Sequence, residues 1–133
     1  MKRDHARLSA AAGRVEADLR RTTKAPWSCS AGEDYVLRMT DGTLSEQVLL
    51  EADVEDEDWF VPPGATATEI DEGLDADADE LLATEAVEVM RALGIRWPVC
   101  PEHDRLLMAC SGWWHCNGKP SHDVAPVGSL RQG

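Results

Sequence analysis

Apolar residues recur at helical spacing near the start of the chain. Leu8, Ala12, Val15 and Leu19 fall at i, i+4, i+7 and i+11, which predicts one stripe of a helix over 4–22. Arg3, Arg7, Arg14, Arg20 and Arg21 cover its polar side, and Gly13 costs about 1 kcal/mol against Ala inside it. The stripe is narrow and alanine-rich, which suits packing on the chain's own core. Pro26 and the Ser and Gly around Cys29 end the helix. The period then changes to two. Tyr35, Leu37 and Met39 share one face of a strand, with Val36, Arg38 and Thr40 on the other. Asp41-Gly42 reads as a two-residue hairpin turn, because both residues accept a positive φ. That register sets Met39 opposite Leu44, Leu37 opposite Glu46 and Tyr35 opposite Val48.

The pattern lapses over 51–73. Four successive acids at 55–58 repel one another, Pro62-Pro63-Gly64 excludes regular structure, and a long loop is expected. Trp59 and Phe60 are similar to short acidic–aromatic docking segments, but a loop of this length needs an anchor, so both rings are expected to fold onto the core. Helical spacing returns with Leu82, Ala86, Val89 and Leu93, Met90 beside them, in a second helix from about Asp75 to Leu93. Asp75, Asp77 and Asp79 stand at its expected start, where negative charge suits the helix dipole, and Gly94 and Pro98 mark its end. The same three Asp fit positions 1, 3 and 5 of a calcium loop, yet Glu80 stands where that loop needs Gly and Ala86 where it needs a bidentate Glu. An EF-hand is excluded on those two positions.

Charge changes the picture. Of the 133 residues, 13 are Lys or Arg and 25 are Asp or Glu, a net charge of -12. Residues 1–24 carry seven basic and three acidic side chains, a net of +4. Residues 33–88 carry 19 acids and only Arg38, a net of -18, and residues 89–133 return to +2. An acidic middle lies between two basic ends, a solvated surface in the first instance and a source of self-neutralisation in the second. So acidic a chain is not expected to take nucleic acid as a direct ligand. No apolar run approaches the roughly 18–20 residues of a membrane span, and the N-terminal segment lacks the apolar core of a secretory signal. A cytoplasmic, reducing setting is therefore expected, in which clustered Cys and His act as metal ligands rather than disulfides.

Such a cluster exists. Three of the four Cys and three of the four His lie between Cys100 and His122. Cys100-Pro-Glu-His103 places two ligand types on one tight turn. Leu106–Cys110 and Trp113–Cys116 form the arms of a hairpin about Ser111-Gly112. Cys116 supplies a third ligand and His122, beyond a short loop, a fourth; Val124 to Leu130 offer a third strand. His115 or Cys110 could replace His122. His115 and Cys116 are adjacent in a strand and point to opposite faces, while Cys110 shares parity with Leu106 and Met108 and reads as core. Cys29 stands far away and reads as buried and inert.

This segment, about residues 97–130, resembles a zinc ribbon. C-P-E-H matches the first ligand turn with His103 in place of a Cys, and W-H-C matches the entry to the second. The five residues between Cys116 and His122, instead of two, depart from that pattern. The resemblance implies a structural Zn2+ on Cys100, His103, Cys116 and His122. The fold expected is α+β: two helices on a small antiparallel sheet over 1–95, and a zinc-ribbon-like module over 96–133 packed against it. Trp97, Trp113 and Trp114 are expected to pack around the metal site, because so small a module needs large side chains for a core.

The patterns of catalytic zinc sites, H-E-x-x-H and H-x-E with P-C-x-x-C, are absent, and no catalytic residue is assigned. Glu102, between two ligands, is expected to point away from the metal. The function expected is a non-enzymatic adaptor or regulator with an acidic surface for a basic protein partner. The alternatives are a nucleic-acid mimic that fills the basic groove of a DNA- or RNA-binding protein, and a small zinc-dependent enzyme.

Overall fold

The computed structural model describes residues 5–50 and 64–131. The acid run at 55–58, Trp59 and Phe60 lie outside the described residues. The chain is α+β, with helix α1 (His5–Thr23), strands β1 (Ser28–Ala31), β2 (Val36–Thr40) and β3 (Ser45–Leu49), helix α2 (Ala67–Ala92), and strands β4 (Met108–Cys110), β5 (Trp113–Cys116) and β6 (His122–Pro126). The strands form two antiparallel sheets, ordered β1-β2-β3 and β4-β5-β6. One cluster of buried side chains joins both helices and both sheets, with Leu8, Val15, Leu19, Leu37, Met39, Leu82, Met90 and Trp114 inside it.

The stripe predicted for α1 is buried in full. Helix α2 departs from expectation at its start. It begins at Ala67 and not near Asp75, so residues 67–73 are helix and not loop. The cause is local and electrostatic. Thr66 caps the helix, its Oγ1 accepting from the Glu69 backbone N–H at 3.1 Å. The three acids Asp71, Asp75 and Asp79, one turn apart on α2, then meet the basic side of α1. Arg7 donates to Asp71 at 2.8 Å and to Asp75 at 2.7 Å, and Arg14 donates to Asp79 at 2.8 Å. Since Arg7 meets the earlier acids and Arg14 the later one, the two helices run in the same direction. Asp75, Asp77 and Asp79 thus lie mid-helix. At the far end Gly94 takes a φ of +79° and its N–H donates to Arg91, the stop that the sequence marks.

The first hairpin also differs by a step. Thr40 pairs with Ser45, Met39 with Glu46 and Leu37 with Val48, so the connection has four residues, 41–44, and not two. The Asp41 carboxylate accepts from the backbone N–H of Thr43 at 2.8 Å and of Leu44 at 2.7 Å, which closes the wider turn and holds its carboxyl below the usual range. Leu37 and Met39 are buried as the alternation requires. The segment around Cys29 forms β1 against β2. Cys29 is buried there, and burial pushes its thiol up to about 12.

Candidate metal centre

The second sheet is built on a tight hairpin. Ser111 and Gly112 both have positive φ, 50° and 87°, as a two-residue turn with right-handed strand twist requires. Cys110 then pairs with Trp113, and Met108 with His115. Alternation sends Trp114 and Cys116 inward, where both are fully buried, while Trp113 faces out. Leu106 is not part of β4; it forms an isolated bridge with Val99. Strand β6 starts at His122 itself and ends at Pro126, short of Leu130. The chain leaves the sheet there because the N–H groups of Gly128 and Leu130 donate to Asp18 of α1, at 2.7 and 2.8 Å.

Asp18 is a polar residue at the centre of the core. It is fully buried, and it also accepts from the indole N–H of Trp114 at 2.9 Å. Burial pushes its carboxyl up, and the bonds from Trp114, Gly128 and Leu130 oppose that shift. Trp114 packs edge-on against Trp97 with ring centroids 5.4 Å apart, and the Trp97 indole donates to Thr22 of α1 at 2.8 Å. Two of the three expected tryptophans therefore form the core. The third, Trp113, remains 44% exposed.

Cys100, His103, Cys116 and His122 come together at the end of this sheet. One donor atom from each lies within 4.8 Å of all the others. Cys100 and His103 sit on a turn closed by the Asp104 N–H donating to Cys100 at 2.9 Å and the Cys100 N–H donating to Arg105 at 2.8 Å. Cys116 and His122 face each other as a β5–β6 pair. Nδ1 of His103 lies 3.7 Å from the Cys100 sulfur and 3.4 Å from the Cys116 sulfur, and Nε2 of His122 lies 3.8 Å from the Cys100 sulfur. Nδ1 of His122 is 3.3 Å from the Pro120 carbonyl; donation there leaves Nε2 with its lone pair toward the cluster. Both sulfurs are buried. Burial pushes the Cys116 thiol up, the Gly118 N–H that donates to it at 3.3 Å opposes this, and the Cys100 sulfur adds to it. Two soft sulfurs and two imidazole nitrogens so placed could hold one metal ion.

The alternative ligands go elsewhere. His115 turns to the outer face, its Nδ1 2.9 Å from Asp123, and Cys110 is exposed on that same face rather than in the core. Glu102 is exposed. Gly118 is a contributor that the ligand pattern did not reveal. A Cβ at that position would lie 2.6 Å from Cγ of His103, so the backbone passes directly against the His103 ring. No known protein family, curated protein or solved structure matches the chain. Among the described residues no helix is long and apolar enough to cross a membrane.

Proposed function

We propose that this chain is a small non-enzymatic zinc protein, in which Cys100, His103, Cys116 and His122 hold a structural Zn2+ in a zinc-ribbon-like module, and whose acidic surface receives a basic protein partner. The spacing of the donors carries the reading. Zn–S bonds of about 2.3 Å and Zn–N bonds of about 2.0–2.1 Å at tetrahedral angles put a sulfur about 3.6 Å from a nitrogen. Three of the four sulfur–nitrogen separations here are 3.4, 3.7 and 3.8 Å, and the fourth lies within 4.8 Å. Four protein donors fill a tetrahedral shell and leave no position for a substrate, which favours a structural over a catalytic ion. The net charge of -12 supports the basic partner. Thiolate ligands suit the reducing cytoplasm.

Elemental analysis and native mass spectrometry of protein made in unsupplemented medium test the metal. One zinc per chain is expected, with the bands of a tetrahedral S2N2 site after exchange for Co2+. Removing the ion with a chelator is expected to lower the melting temperature by more than about 10 °C, because binding energy in such modules is folding energy. Cys100→Ser and Cys116→Ser are expected to lose the ion. A stoichiometry well below one, or melting indifferent to the chelator, would overturn the reading.

A further inference from the structure

The second sheet buries one face and leaves much of the other exposed, with the Asn117 amide donating to the Met108 sulfur at 3.0 Å at its edge. On that outer face the cross-strand pairs Cys110–Trp113 and Met108–His115 lie side by side, and Pro126 stands next to Trp113 on β6. Trp113 is 44% and Met108 46% exposed, two of the four large apolar side chains that the described residues leave open. An indole half in water beside a thioether is an apolar platform with a π-face.

Its surroundings are acidic on two sides. Glu69, Glu72, Ala76 and Glu80 fall at i, i+3, i+7 and i+11 on α2, hence on one stripe. That stripe faces the β4–β5 turn. Ala76 lies 3.4 Å from where a Cβ on Gly112 would be, and Glu80 accepts from the Ser111 N–H at 2.9 Å. On the opposite side stands Asp123, with 57% of its side chain exposed. The α1 arginines are taken up by the neighbouring acids Asp71, Asp75 and Asp79, and among the described residues Glu69 and Glu72 form no ion pair.

We infer that the outer face of β4–β5, centred on Trp113 and Met108 and rimmed by Glu69, Glu72, Glu80 and Asp123, docks a cationic segment of a partner protein in which Arg or Lys alternates with aliphatic side chains. The aliphatic groups pack on Trp113 and Met108. The cations meet the acidic rim, and a guanidinium stacks over the indole. This rests on the proposed basic partner and adds to it a surface and an anchor residue. Apolar contact is what separates it from loose attraction between opposite net charges.

Two synthetic peptides test it on the full zinc-loaded chain, one alternating Arg with Leu, the other charge-matched with Ser in place of Leu. The Leu peptide is expected to bind about tenfold more tightly. It is expected to shift the Trp113 indole N–H and the amides of 108–115 in 1H–15N spectra. Trp113→Ala is expected to erase the preference for Leu over Ser while the chain stays folded and zinc-loaded. Glu72→Gln with Glu80→Gln is expected to weaken both peptides and flatten their salt dependence. A preference for Leu that survives Trp113→Ala, or shifts centred elsewhere, overturns the docking surface and leaves the basic partner standing. Failure of both peptides to bind at low salt overturns both.

Discussion

Gly118 shows how one missing side chain can shape a ligand set. The His103 ring lies against its backbone, with Nδ1 only 2.8 Å from where a Cβ would sit. The ring cannot retreat without carrying its donor atom away from the sulfur atoms of Cys100 and Cys116. Gly118→Ala is therefore expected to weaken zinc binding by about 10–100-fold, the scale on which groups behind the ligands act. Competition with a chromophoric chelator measures it. The grouping of these four side chains was legible from sequence, because thiols and imidazoles crowded into one segment at ligand spacing point to a common ion. The role of Gly118 was not. It depends on where a ring from an earlier turn comes to rest, and no spacing rule encodes that.

Between elements, Asp18 links what sequence reading treats separately. It lies one turn beyond Val15 on the buried side of α1, and it gathers N–H groups from β5 and from the segment after β6. Asp18→Asn must turn an amide N–H2 toward one of those donors. A loss of about 1–3 kcal/mol is expected for a buried donor left unsatisfied, read in urea melts followed by tryptophan fluorescence. A periodicity argument finds the apolar face of α1 but registers Asp18 only as a charge. The same limit explains the other discrepancies. The β2–β3 register moved because the Asp41 carboxylate closes a wider turn than the Asp-Gly pair suggests. The start of α2 escapes the pattern because its first turns are held by a cap and by one arginine, Arg7, from a distant helix, with few apolar residues to mark them.

At the scale of the whole molecule, the polarised charge is partly spent internally. Arg7 and Arg14 bind three acids of the highly negative middle. The two arginines are not equivalent. Asp71 and Asp75 are exposed, whereas Asp79 keeps only 13% of its side chain in water. Burial holds the Asp79 carboxyl above the usual range, Arg14 opposes this, and Asp75 and Asp18 add to it. Without Arg14 the folded-state value rises further. A carboxyl whose folded pKa exceeds its unfolded one loses stability for the fold as pH rises through the folded value. Arg14→Ala is thus expected to destabilise most near neutral pH and to recover toward about pH 4. Arg7→Ala is expected to cost about 0–1 kcal/mol, as exposed pairs do. Thermal melts at the two pH values compare them. The uneven charge along the sequence anticipated this seam in kind, but which acids it takes depends on α1 and α2 lying parallel.

Of the four cysteines, three are shielded and one, Cys110, stands in the open beside Trp113. The native chain thus carries a single natural handle for a maleimide fluorophore, with no engineered residue and no competing thiol at the surface. A dye attached there would sit on the very face assigned to the partner, so its brightness and its rate of attachment become direct reporters of whether that face is covered.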